Sequence, residues 1–241
     1  MARKTFTVLE NNPVVINHLA HTLGLSRSLS FQDIYSLTDP DLLSLIPRPV
    51  HALLVIIPLT PTWQAERESE DSQKGDYQGS GPSEPVIWFK QTINHACGSI
   101  GLLHCVLNGE AKKYITPDST LDQIREASIP FCMADRAKVL EDSVEFEKVH
   151  EEAAKLGDSR PLVLRDEEHV GQHFVAFVKG DDGHLWELEG SRKGPVDRGF
   201  LGEGEDMLSR KAVERGIGRL IEMEKDRGGD LRFSAIALAG G

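Results

Sequence analysis

Apolar residues in this chain gather in short blocks, and the spacing inside each block names an element. Asn11 and Asn12 precede Pro13, a cap followed by a proline that the first helical turn tolerates. From Val14 to Leu25 apolar residues then recur at helical spacing, with Gly24 near the end. Leu42, Leu43, Leu45 and Ile46 make a short helical patch stopped by Pro47. His51 to Leu59 (HALLVIIPL) is apolar almost throughout, the pattern of a strand buried on both faces. A second apolar run, from Cys97 through Val106, reads as a buried helix ended by Asn108-Gly109. Pro117-Asp118-Ser119-Thr120 caps a short helix over Leu121 to Ala127. Ala134 to Leu156 is one long charged segment, ended by Gly157-Asp158. His173 to Val178 and His184 to Leu188 flank Gly180-Asp181-Asp182-Gly183, a β-hairpin signal. Met207 to Lys225 reads as a third substantial helix and Leu231 to Leu238 as a last strand.

Two polar stretches interrupt this pattern. Residues 61–85, between prolines, are charged and rich in Gly and Ser, and are expected to be a flexible solvent loop with no catalytic role. Asp158 to Gly171 is expected to be a second exposed loop. Neither is long enough to divide the chain, so residues 1–241 are expected to form a single domain. Helices precede and follow strands, and one hairpin comes late. The expected class is α+β, a mainly antiparallel sheet flanked by helices.

Composition narrows the function. A formal charge of -11 argues against a nucleic-acid partner and suits a basic protein partner or simple solubility. No run of about 18 apolar residues occurs, so no membrane-spanning helix is expected. The N-terminus has charge but no apolar stretch of the secretory kind. Cys97, Cys105 and Cys132 cannot make a paired disulfide framework, which points to a reducing compartment: the cytoplasm, with the nucleus as a second candidate. No C-x-x-C pair or second His-Cys pair stands at ligand spacing, so neither metal nor cofactor is expected.

Gln91-Thr92-Ile93-Asn94-His95-Ala96-Cys97-Gly98-Ser99 carries the candidate chemistry. A thiol at a helix N-terminus meets the positive end of the helix dipole, and a nearby amide can donate to a developing oxyanion. Cys105 and Cys132 fit buried or structural positions better than Cys97 does. The base must come from nine histidines. His95 is too close in the chain to Cys97, His150 lies on a charged helix face, and His51 begins a buried strand. His173 stands at the mouth of a strand and leads, with His184 and His169 as alternatives. Across the hairpin, Glu187 and Glu189 share a face by the period of two, and either could orient the imidazole.

At these residues the chain resembles the ubiquitin C-terminal hydrolases, a class of cysteine deubiquitinases. The resemblance runs from Leu9-Glu10-Asn11-Asn12-Pro13 to Phe233–Leu238, and includes the segment from Asp41 to Val50. It is most specific in QTINHACGSIGLLH at 91–104, HFVAFV at 173–178 and ELEG at 187–190. It implies a papain-like arrangement with a knotted backbone. By resemblance Cys97 is the nucleophile, Gln91 the oxyanion-hole side chain, His173 the general base and Glu189 its orienter. Glu189 departs from the family, which usually has aspartate there, and Glu187 is the fallback. The resemblance also implies a crossover loop over the cleft at about 153–169, which restricts leaving groups to small or flexible ones. Release of ubiquitin from such adducts through a thioester is the implied activity, by a monomer, with Nedd8 as a second candidate substrate. The competing expectations are a general papain-like peptidase and a catalytically impaired ubiquitin-binding module.

Overall fold

The computed structural model describes residues 3–157, 171–227 and 229–240. The candidate base His169, the 158–170 polar stretch and most of the expected crossover segment lie outside the described residues. Helix α1 (Pro13–Leu23) begins as expected, with the Asn12 side chain accepting from Val14 N–H at 2.9 Å. Strand β1 (Leu29–Asp33) follows, then the short α2 (Pro40–Leu43), β2 (Ala52–Pro58) and helix α3 (Pro61–Ser72). After an extended stretch come α4 (Cys97–Val106), α5 (Thr120–Ser128), α6 (Met133–Asp142) and α7 (Val144–Ala154). The chain closes with β3 (Gln172–Lys179), β4 (His184–Leu188), β5 (Val196–Phe200), α8 (Arg210–Arg215), α9 (Ile217–Asp226) and β6 (Ser234–Gly240).

Among the described residues the strands form one sheet in the order β1-β6-β2-β3-β4-β5, every neighbour antiparallel. This is the expected α+β class. The continuous apolar character of β2 has a direct cause. Ala52 and Leu54 enter one core with Phe174 and Ala176 of β3, whereas Leu53, Val55 and Ile57 enter another with Val175 and Phe177. Helices α1, α4, α5 and α7 cover the first face; Trp63 of α3, with α8 and α9, covers the second. Helix α4 is buried along almost its whole length. Its glycines permit that depth: a Cβ at Gly101 would stand 2.7 Å from Leu54 Cδ1.

Three expectations need correction. The first part of the 61–85 stretch is helix α3, not a loop. Its start uses the same signal as α1: Thr60 caps Trp63 N–H at 3.0 Å and Pro61 opens the first turn. The Ala134 to Leu156 segment is two helices. Ser143 ends α6 and its side chain caps α7 through Phe146 N–H at 3.3 Å. The Met207 to Lys225 helix is likewise broken, at Gly216, where a Cβ would lie 2.9 Å from the Ala212 carbonyl oxygen.

Candidate active site

Cys97 is the first residue of α4 and is half-buried. The backbone before it is held from two sides. Phe6 N–H donates to the Asn94 carbonyl at 3.0 Å, and Asn94 N–H to the Lys4 carbonyl at 2.9 Å. His95 adopts a φ of 61°, a left-handed conformation costly for a residue with a Cβ. Such a conformation persists only where its surroundings impose it, and here it sets the entry into α4. Two residues on, the buried Ser99 hydroxyl hydrogen-bonds His150 Nδ1, and His150 Nε2 donates to the Thr7 carbonyl at 2.7 Å. His150 is therefore fully buried and not on an exposed charged face. Burial lowers its imidazole pKa.

His173 is the second residue of β3, opposite Ile57 of β2. A Cβ at Gly98 would stand 3.2 Å from Phe174, so the residues that follow Cys97 and His173 abut. The ring Nε2 of His173 donates to Glu189 Oε1 at 2.5 Å, which leaves Nδ1 for the thiol. Burial opposes charge on this imidazole, but the Glu189 carboxylate and the Cys97 side chain outweigh it and raise its pKa well above the ordinary value.

Glu189 lies just beyond β4 and is fully buried. Burial disfavours its charge, yet His173 and Ser191 hold the carboxyl down at about 2. Its backbone is tied to the strand-like segment before Cys97. Trp88 Nε1 donates to the Glu189 carbonyl at 3.2 Å, and Gln91 N–H to the Gly190 carbonyl at 2.8 Å. Gly190 is needed here, because a Cβ would lie 3.0 Å from that of Gln91. His104 and Asn108 pin the same segment from α4 and the turn after it. Phe89 N–H donates to His104 Nε2 at 2.9 Å and Ile87 N–H to Asn108 Oδ1 at 2.6 Å. Burial holds the His104 imidazole at about 3, so it stays neutral as an acceptor. The Gln91 carbonyl oxygen Oε1 is buried without a hydrogen-bond partner among the described residues.

The other candidates go elsewhere. Glu187 faces Arg192 at 3.2 Å, Arg198 at 2.8 Å and Arg219 at 3.3 Å, and the carboxylate paired with His173 is that of Glu189. His184 pairs with Asp197 at 2.9 Å at the far end of the hairpin. Cys105 is buried, and burial pushes its thiol up. Sequence reasoning missed Trp63, Arg67 and Ser191. Trp63 lies beside His173 with 6.3 Å between ring centroids, and Arg67 Nη1 is 3.6 Å from Glu189 Oε2. The Thr60-Pro61 start and the i, i+4 spacing of Trp63 and Arg67 were the available signals.

Glu70 and Asp71, on the next turn of α3, continue the ion network. Glu70 accepts from Arg192 Nη2 and Arg198 Nη1, each at 2.6 Å. Burial opposes the Glu70 charge, but Arg198 and Arg192 hold its carboxyl at about 2 against an ordinary 4.5. A carboxylate depressed in the native state contributes its stability in full above the unfolded pKa and loses it as pH falls through the native one. Thermal midpoints are therefore expected to drop as pH falls from about 4.5 to about 2. Glu70→Gln is expected to make that drop shallower. Circular dichroism melts across this window check it, and an unchanged slope in the variant would remove Glu70 from the account.

An imidazole held between a helix-start thiol and a buried carboxylate, at the end of an antiparallel sheet, is the arrangement of a papain-like cysteine hydrolase. Comparison with known proteins gives the family. The model of ubiquitin carboxyl-terminal hydrolase, family 1, matches residues 6–222. Ubiquitin carboxyl-terminal hydrolase isozyme L1 of Macaca fascicularis is 33% identical over 95% of this chain and 96% of its own length. A ubiquitin carboxyl-terminal hydrolase of Aplysia californica is 34% identical over 79% of this chain and 84% of its own. In fold, the chain matches the Trichinella spiralis UCH37 catalytic domain bound to ubiquitin vinyl methyl ester, with TM-score 0.73 and 21% identity over 100% of this chain and 98% of that one. The chain belongs to ubiquitin carboxyl-terminal hydrolase family 1 and is a thiol-dependent ubiquitin hydrolase, a cysteine peptidase.

Proposed function

We propose that the protein releases ubiquitin from small or flexible C-terminal adducts, with Cys97 as nucleophile, His173 as acid and base, Glu189 as orienter and Gln91 in the oxyanion hole. The observation that carries these roles is the His173 imidazole, set between Cys97 and the buried Glu189 carboxylate. The Cys97 thiolate attacks the carbonyl carbon of the C-terminal glycine of ubiquitin. The oxyanion that forms is held by the Gln91 side chain and the Cys97 backbone N–H. The intermediate collapses to a thioester as His173 passes its proton to the leaving amine or thiol. His173 then takes a proton from water, whose oxygen attacks the thioester, and the thiol is regenerated as free ubiquitin leaves.

The limit on leaving groups follows from the family resemblance, whose crossover loop at about 153–169 lies mostly outside the described residues. Ubiquitin carrying a small C-terminal amide is expected to be hydrolysed readily, and ubiquitin joined to a tightly folded domain to resist. Steady-state kinetics on the two substrates test this; equal kcat/KM would refute the restriction. The net charge of -11 complements a basic partner face and supports ubiquitin as substrate, with Nedd8 as the second to be assayed. Three free cysteines support a reducing compartment, the cytoplasm and also the nucleus, and the protein acts as a monomer in this reading.

A further inference from the structure

The two carboxylate oxygens of Glu189 have different surroundings. Oε1 takes two donors, His173 Nε2 at 2.5 Å and Ser191 N–H at 2.6 Å. Oε2 is buried and finds no hydrogen-bond donor among the described residues. A buried carboxylate oxygen in that state is costly unless a cation answers it. Among the described residues, the cation within ion-pair distance of Oε2 is Arg67, with Nη1 at 3.6 Å. Arg67 is itself held in place. Its Nη1 donates to Ser191 Oγ at 2.6 Å, and its guanidinium lies 4.8 Å from the Trp63 ring centre. Trp63, one turn earlier on α3, packs beside His173. Ser191 thus joins both groups: its backbone N–H holds Oε1, and its hydroxyl holds the guanidinium. One turn further on, Glu70 and Asp71 anchor α3 to Arg192, in the same loop as Ser191.

We propose that Arg67 is a positioning residue for Glu189: its guanidinium holds Oε2 and thereby turns Oε1 toward His173. A glutamate has one more rotatable bond than an aspartate, so its carboxylate needs a second point of attachment to keep one orientation. Arg67 supplies that point from α3, outside the segments that carry the other site residues. The inference rests on the assignment of His173 and Glu189 made above.

The test is a double-mutant cycle read in two ways. Wild type, Arg67→Gln, Arg67→Lys, Glu189→Gln and the Arg67→Gln/Glu189→Gln pair are compared for turnover of a fluorogenic ubiquitin C-terminal amide. The same set is compared for the rate of Cys97 alkylation by iodoacetamide, which needs no ubiquitin. Arg67→Gln removes the charge but keeps a donor for Ser191, which protects the fold; Arg67→Met gives the same comparison should it be unstable. Arg67→Gln is expected to lower kcat about tenfold or more with KM within about twofold, because the imidazole is misdirected while binding is untouched. Arg67→Lys keeps the cation and is expected to recover most of that loss. In the Glu189→Gln background Arg67→Gln is expected to have no further effect on kcat or on alkylation. A loss of the same size in both backgrounds would show that Arg67 acts elsewhere and would overturn the proposal. So would a folded Arg67→Gln enzyme with unchanged kcat and alkylation. A wild-type protein whose Cys97 alkylates readily but which turns over no ubiquitin amide would overturn the hydrolase roles instead, and the alkylation arm would still decide Arg67.

Discussion

Replacing Cys97 with alanine is expected to lower ubiquitin turnover by about 10⁴-fold or more, the scale seen when a nucleophile is removed from a triad whose members act as a unit. It is also expected to abolish the covalent adduct with ubiquitin bearing a C-terminal electrophile, read as a mass shift of the intact protein. The fold should survive. Cys97 is half-buried at the first position of α4, where alanine is a better helix former than cysteine. An adduct that persists in Cys97→Ala would overturn the assignment. Cys105 is an unlike rival, since it is buried and its thiol is pushed up by burial. Cys132 is half-buried at the start of α6, and peptide mapping of any residual adduct would identify it.

Glu189→Gln and Glu187→Gln are expected to fail in opposite ways. In the first, the group that orients His173 loses its charge and can present an amide N–H to the ring in place of an acceptor. The wrong tautomer is then favoured, and kcat is expected to fall by about 10³–10⁴ with little change in KM. The Glu189 charge also helps to raise the His173 pKa. Without it the imidazole gives up its proton at lower pH, so the alkaline limb of kcat/KM should move down the pH scale. In the second, Arg192, Arg198 and Arg219 lose the buried carboxylate they share. Breaking such a pair from one side costs about 3–5 kcal/mol, so the thermal midpoint should fall clearly. The turnover of the fraction that remains folded should stay near that of wild type. Collapse of turnover in Glu187→Gln alone would reverse the two roles.

These paired outcomes follow from a distinction that the strand pattern did not carry. Alternation puts Glu187 and Glu189 on one face of an extended chain, and to that extent they were equivalent. The difference arises because β4 ends at Leu188. Beyond it the chain turns toward Trp88 and Gln91, and those hydrogen bonds decide where the Glu189 carboxylate lies. The inward-facing role of helix α3 was illegible for a related reason, although its Thr60-Pro61 start was not. Its inward face is Trp63 followed by Arg67, Glu70 and Asp71, and a row of charges reads as a solvated surface. Its partners, Ser191, Arg192 and Arg198, are more than a hundred positions away in the chain, and nothing local announces them.

What the sequence by itself determined is whatever local forces decide. Asn12 and Pro13 start α1, the unbroken apolar run makes β2 a central strand, and the turn residues between His173 and Leu188 make the hairpin. The QTINHACGS block puts a thiol at the head of a buried helix. Each of these is set by neighbours within a few residues, through capping, periodicity and turn conformation. Local patterns left open which histidine meets Cys97 and which glutamate stands behind it, and resemblance alone named His173 and Glu189; the tertiary structure puts those groups together and adds Trp63 and Arg67 of α3 beside them. Those are pairings between charges and hydrogen-bonding groups brought together by the packing of β3, β4, α3 and α4. Their strength depends on distance and on exclusion of water, and neither exists until the two cores have formed.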